Sequence, residues 1–173
     1  MNEVIQAMID RRSCRSYTRE QVKEEHLEQI LLAGTYAASG MGKQASKIIV
    51  VQDKETIEQL RVMNAAIMGN PDIDPFYGAP TVCVVVADPE VRTWQEDGSL
   101  VIGNLMLAAS TVGVASCWIH RAQQEFDSPE GKALLEKWGI DPRYRGVGHC
   151  ILGYADGPLP AAKPRKADYI HRV

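Results

Sequence analysis

Hydrophobic residues recur along this chain with two different periods, and the switches between them mark out its elements. Val4, Ile5, Met8 and Ile9 fall at helical spacing and predict a short helix over 2–11. RRSCRSYT breaks the pattern. It resumes at Lys23, where Leu27, Ile30, Leu31 and Gly34 share one face to about Ala38. SGMGKQ at 39–44 reads as a loop. KIIVVQ, from Lys47 to Gln52, reads as a buried strand of β-branched residues. A polar amphipathic helix is expected over 54–67, with Ile57, Leu60 and Met63 or Asn64 at its spacing. GNPDIDPFYGAP at 69–80 is dense in Gly, Pro and Asp and predicts an irregular segment. Its length is unusual for so small a domain and marks it as a functional or mobile stretch.

TVCVVVA at 81–87 is a second buried strand. The strongest helix spans 95–112, with Leu100, Val101, Leu105, Ala108 and Ala109 inside it and Gly113 as its stop. A helix apolar on most faces belongs at the centre of a fold. VASCWIH at 114–120 is a third strand. Ser128-Pro129-Glu130 is a helix start that runs to Trp138, and VGHCILGYA at 147–155 is a fourth strand. The tail, rich in Pro and Lys/Arg, ends in an extended Tyr169–Val173. The expected order is α-α-β-α-β-α-β-α-β. Strands apolar on both faces call for helices on both sides of the sheet, hence three layers and not a sandwich.

The 173 residues are expected to form one domain over 1–173. A hydrophobic content of 45% with 24% charged residues excludes a disordered chain. A net charge of -3 argues against binding nucleic acid by bulk electrostatics. No apolar run is long enough to span a bilayer, and MNEVIQAMIDRR lacks the pattern of a signal peptide. The expectation is a cytoplasmic protein with neither membrane nor nucleic acid as partner. Cys14, Cys83, Cys117 and Cys150 form no CxxC motif. The last three lie in apolar runs and read as reduced core thiols. Cys14 stands among arginines, which lower a thiol pKa; its plainer reading, preferred here, is a small residue filling a crowded loop. His26, His120, His149 and His171 are scattered, so no metal site is expected. GxGxxG, GxxxxGK[ST] and GxSxG are all absent.

Arg11-Arg12-Ser13-Cys14-Arg15 places three guanidinium groups within five residues. Such a cluster needs an anion to offset its repulsion, and Arg favours bidentate phosphate contact. A helix macrodipole accounts for Arg11 and Arg12 in a last turn, but not for Arg15 beyond it. Lys163-Pro164-Arg165-Lys166 is a second basic cluster. It is either a solvated tail or the other half of one anion site.

RRSCRSY, SGMGKQ, GVASCWI, LGYADG and KPRK occur in the order seen in FMN-dependent nitroreductases, so nearly the whole chain resembles a compact member of that family. The resemblance implies an α+β, three-layer fold with a mixed central sheet between helices. It also implies an intertwined homodimer with two FMN sites, each built from both chains. The helix over 95–112 would form the dimer core, and the tail Tyr169–Val173 would be exchanged to add a strand to the partner's sheet. Arg11, Arg12, Ser13 and Arg15 would hold the FMN phosphate and ribityl chain, with Lys163 and Arg165 closing on the same phosphate. Ser39, Met41, Lys43 and Gln44 would contact the flavin ring of the partner subunit's site. The family usually carries Asn where this chain has Gly42, and Pro-Trp where it has Ala45-Ser46.

By the same resemblance, Cys117, Trp118 and Ile119 would pass the ring, and the main-chain N–H groups of His120 and Arg121 would face flavin N5 and O4. No dedicated catalytic side chain is then required. The His120 side chain is either a pH-sensitive proton donor or an idle strand-end histidine. The implied activity is ping-pong: NAD(P)H delivers electrons and leaves, and a nitroaromatic, quinone or enone collects them in the same pocket. Two other classes stay open: a flavin store or redox sensor, and a domain for a different phosphorylated ligand. Phe76 and Tyr77 either plug the core or hold a flat substrate.

Overall fold

A computed structural model describes residues 1–173. Its sheet has four strands: β1 (Ser46–Val51), β2 (Thr81–Ala87), β3 (Ala115–Ile119) and β4 (Arg145–Gly153), in the order β1-β2-β4-β3. The α+β class is as expected. The mixed pairing is not: every ladder is antiparallel, and the one parallel contact is a bridge between Ser13 and Ser116. The reason lies in the connections. Val82 pairs with Val51, so β2 starts beside the end of β1. The helix and irregular segment between them therefore make an excursion out and back, not a crossover.

Seven helical segments surround the sheet: α1 (Glu3–Asp10), α2 (Glu24–Thr35), a 3₁₀ turn (Gly40–Gly42), α3 (Lys54–Ile67), α4 (Trp94–Thr111), α5 (Ala122–Asp127) and α6 (Pro129–Lys137). Asp53 caps α3 by accepting from Thr56 N–H at 2.8 Å, and Ser128 caps α6 by accepting from Gly131 N–H at 3.1 Å. α5 is an element that the hydrophobic pattern did not predict.

β2 is buried along its whole length, and its alternation separates two cores. Val82, Val84 and Val86 face Leu60, Met63, Phe126 and Leu135 of α3, α5 and α6. Cys83, Val85 and Ala87 face Leu27, Ile30, Ile102 and Leu105 of α2 and α4. The expected three layers are present. A bulge interrupts the β2–β4 ladder, where Val85 pairs with Gly148 and Val86 with Gly146. The extra residue, Val147, turns toward α4, where a Cβ on Gly98 would come within 2.5 Å of its side chain. Glycine is what lets the helix approach the bulge.

The two outer layers are not equally finished. α1 buries no residue, and Val4, Ile5, Met8 and Ile9 are all exposed. Leu32 of α2 and Tyr36 just past its end, Leu100 of α4, and Tyr169 and Ile170 of the tail are exposed as well. The tail pairs with no strand beyond the Tyr17–Ala155 bridge. No helix is long and apolar enough to cross a membrane.

Candidate functional site

α1 stops at Asp10 because Arg11 adopts an extended backbone, with ψ at 131°. Arg12 then folds back, its Nη1 donating to the Ile9 carbonyl at 2.5 Å and the Arg11 carbonyl at 2.8 Å. The helix-end reading thus holds for Arg12, one of whose donors caps the last turn. Arg11 differs: its Nη1 is buried with no partner. A buried cationic donor without an acceptor is costly, so this position fits an anion. The run beyond it is stitched to β3, since Ser13 bridges Ser116 and Cys14 N–H donates to the Ser116 carbonyl at 2.9 Å.

The second basic cluster comes back to the first. Lys163, Arg165 and Lys166 line one cavity with Arg11, Arg12 and Met8. Next to it, Ser13 and Arg15 line a depression with Asp156 and Pro158. A chain of net charge -3 thus gathers at least four cations around one hollow.

At the end of β3, Cys117 and Ile119 are buried, while Trp118 is half-buried against the α4 side. Burial pushes the Cys117 thiol up, against the pull of a hydrogen bond with Ser13 and the charge of Arg15. His120 is exposed, so its side chain is free of the core. Arg121 has φ 81° and ψ 0°, a left-handed conformation uncommon for a residue with a Cβ. The N–H groups of His120 and Arg121 donate to no acceptor in the chain. Two adjacent free donors on a fixed turn can meet a ligand that carries acceptors.

This turn rests on a buried polar cluster that sequence reasoning missed. Asn64, Glu125 and His149 are each fully buried. Asn64 Nδ2 donates to the His120 carbonyl at 2.8 Å and also to Glu125 Oε1. His149 Nε2 lies 3.1 Å from Glu125 Oε2, at an angle too bent for a hydrogen bond. A signal was present in the pattern. Asn64 sits at an apolar helix position, and His149 interrupts an apolar strand.

The loop at 39–44 lies elsewhere. Met41, Gly42 and Gln44 all have positive φ, at 52°, 64° and 50°. Asn and Gly are the residues most at ease there, so Gly42 suits this backbone but brings no side-chain amide. Gly40 N–H donates to Asp97 Oδ1 at 3.0 Å, and Gln44 N–H to Ser39 Oγ at 3.2 Å. Ser39 and Gln44 line an apolar groove with Leu31, Ile48 and Val101, while Met41 and Lys43 are exposed. Asp97 is in the first turn of α4, whereas Ser110, in its last turn, borders Arg11 and Arg12. Helical rise puts these turns about 20 Å apart. One chain therefore does not bring Ser39, Met41, Lys43 and Gln44 to the arginines.

Phe76 belongs to the core on burial. It is 1% exposed and packs on His149, with ring centroids 5.2 Å apart, so the core alternative holds for it. Tyr77 is 38% exposed, with φ at 54°. All four cysteines are free and buried. Cys14, at 3% exposure, is the packed small residue of the plainer reading, and burial pushes the Cys83 thiol up to about 12. No group of His, Cys, Asp and Glu side chains could hold a metal ion.

Comparison with known proteins gives the chain its relatives. The model of the Nitroreductase family matches residues 8–75. A protein of Archaeoglobus fulgidus, provisionally named NADH dehydrogenase/NAD(P)H nitroreductase, is 31% identical over 159 residues, covering 89% of this chain and 86% of the relative. A protein of Bacillus subtilis named FMN reductase [NAD(P)H] is 41% identical over 88 residues, covering 51% of this chain and 33% of that protein. The crystal structure of a nitroreductase with bound FMN from Bacteroides fragilis superposes with a TM-score of 0.91 at 32% identity, covering 100% of both chains.

Proposed function

The chain belongs to the nitroreductase family, and on that premise we propose that it is an NAD(P)H-dependent FMN oxidoreductase. The observation that carries the reading is the hollow lined by Arg11, Arg12, Lys163 and Arg165, together with a guanidinium nitrogen of Arg11 that finds no partner in the chain. A phosphate would satisfy that nitrogen with a charge-assisted bond, so the residues present fit FMN. Arg11, Arg15, Lys163 and Arg165 hold the phosphate in this reading, with one edge of Arg12 kept for the helix end. Ser13 lies toward the ribityl chain, and Cys117, Trp118 and Ile119 form the wall of the pocket.

When bound, FMN supplies the hydride and electron chemistry. The chain's own part is to position and polarise. The free N–H groups of His120 and Arg121 are assigned to N5 and O4, where fixed dipoles stabilise charge as it changes. No side chain need act as a general acid or base.

The site is completed by a second copy. Ser39, Met41, Lys43 and Gln44 lie about 20 Å along α4 from the arginines, and a partner in the opposite sense brings its own loop to them. The exposed apolar residues of α1, α2 and the tail form the interface, with Tyr169–Val173 exchanged. NAD(P)H and then a nitroaromatic, quinone or enone use one pocket in turn, and Tyr77 borders it. The test is the visible spectrum of the purified protein, before and after anaerobic NADH or NADPH and then an acceptor. A colourless protein that takes up no FMN would overturn the reading. A flavin that stays oxidised would instead make it a flavin store.

A further inference from the structure

We propose that Asn64 is a positioning residue, holding the His120–Arg121 turn in the conformation that presents its two N–H groups. This rests on the cofactor reading for what those groups meet, and on the structure alone for what holds them.

Arg121 is the pivot. Its left-handed backbone is unfavourable for a residue with a Cβ, and such conformations persist only where the surroundings over-determine them. Here the turn is gripped on both sides. The Asn64 amide donates to the carbonyl of His120 at 2.8 Å, and the carbonyl of Arg121 accepts from Glu125 N–H at 3.0 Å. The first grip comes from another layer element, α3, and the second from α5 itself. With the His120 carbonyl turned inward onto Asn64, the trans geometry of that same peptide plane sends the Arg121 N–H the opposite way. The bond inside the core thus sets the direction of the donor outside it.

The Asn64 amide is itself fixed. Its second donor contact is to Glu125 Oε1, and Glu125 Oε2 abuts His149 on β4. Phe76 and Phe126 pack around the His149 ring, at 5.2 Å and 6.4 Å. All three polar residues are fully buried, so water cannot replace any member. Both amide protons of Asn64 are committed, to the His120 carbonyl and to Glu125 Oε1, which ties α3 to the turn and to α5, while Asn64 Oδ1 and both ring nitrogens of His149 have no hydrogen-bond partner. The cluster explains why polar side chains interrupt the apolar faces of α3, α5 and β4 at one point: they meet beneath one turn.

The test uses the holoprotein and Asn64→Leu, which keeps the volume and removes the donor. Hydrogen exchange of backbone amides 120–122 should quicken at least about tenfold, while the rest of the sheet keeps its protection. The visible absorption bands of bound FMN should shift. The kcat for reduction by NAD(P)H should fall about tenfold or more, because small displacements of positioned groups carry large rate costs. KM and FMN occupancy should change by less than about threefold, because the arginines are untouched. Glu125→Gln, which still offers an oxygen to Asn64, should stay near the wild type in all these readouts. Unchanged exchange at 120–122 together with an unchanged flavin spectrum would overturn the proposal. If Asn64→Leu does not fold, labelled wild-type protein decides. Slowly exchanging Asn64 Nδ2 protons whose resonances move on flavin reduction support the proposal, and protons exchanging like a free amide overturn it. A wild type that binds no FMN would remove the cofactor reading, while slow or free exchange of the Asn64 Nδ2 protons would still decide whether Asn64 anchors the turn.

Discussion

The two sides of the sheet are built on different terms. On the side of α3, α5 and α6 the chain closes its own core: Phe76, Phe126, Leu60 and Leu135 are sealed, and even a carboxylate, an imidazole and an amide are enclosed with them. On the side of α1, α2 and α4 the core beneath is just as dry, but its outer surface is left apolar at Val4, Ile5, Met8, Ile9, Leu32 and Leu100. The basic residues of the amino-terminal arm and the tail border this second side, while Cys117, Ile119 and the His120–Arg121 turn rest on the first. One half of the molecule seals its own surface, and the other leaves apolar side chains and a basic hollow uncovered.

The contrast can be broken at several points. The largest effect belongs to the closed side. Phe126→Ala should cost about 3–5 kcal/mol in urea denaturation with no change in oligomeric mass; a loss below about 1 kcal/mol would mean that this core is looser than its burial implies. Next is Arg11→Ala at the open side. Removing one partner of a desolvated charge pair costs ~2–5 kcal/mol in binding, so the protein should purify largely colourless with its melting temperature nearly unchanged. Full FMN occupancy at low free flavin would show that the buried guanidinium serves something else.

A third test sharpens the association claim. Ile5→Glu with Met8→Glu withdraws two apolar side chains, each worth about 1.5–3 kcal/mol when buried. Light scattering should give a dimer mass for the wild type and a monomer mass for the double variant at micromolar concentration. A monomeric wild type that still carries FMN would contradict the two-chain site. The smallest effect concerns Asp127 and Arg145, which tie α5 to β4 at the rim. The Arg145 hydrogen bonds hold the Asp127 carboxyl below its ordinary range. A depressed carboxyl contributes stability above its unfolded pKa, and that stability is lost as pH falls through the folded value. Both groups are over a third exposed, so solvent screening limits Arg145→Met to about 1 kcal/mol at most near pH 7. The difference from wild type should fade as pH falls below about 4; a difference undiminished at about pH 2 would mean that packing, not charge, is lost.

The strands and long helices were legible because each carries its own period, and α3 and β2 fall where their apolar spacing puts them. The two basic clusters were legible as chemistry, but only the fold could show that residues 11 and 165 line the same hollow. α5 escaped notice because six residues give barely two helical turns, and its N-cap residue, Arg121, offers no capping side chain. The cluster of Asn64, Glu125 and His149 escaped for a different reason. Each residue alone reads as an irregularity in an apolar pattern, and its partners lie on three elements distant in sequence. The antiparallel ladder was misjudged because a buried strand has the same apolar composition in either sense.

The four thiols give the molecule a built-in clock. Cys83 and Cys150 face one another across the β2–β4 ladder at the centre of the sheet, while Cys14 and Cys117 lie beside the Ser13–Ser116 bridge at its margin. None is open to reagent in the native fold, and burial holds Cys83, Cys117 and Cys150 in the unreactive thiol form. Alkylation under native conditions therefore counts opening events, not surface encounters. Cys83 and Cys150 can be labelled only when the sheet itself comes apart, so their rate reads global unfolding. Cys14 and Cys117 become reachable when the amino-terminal arm alone peels from β3. The ratio of the two rates measures how independently that arm breathes, using no substitution and no added probe.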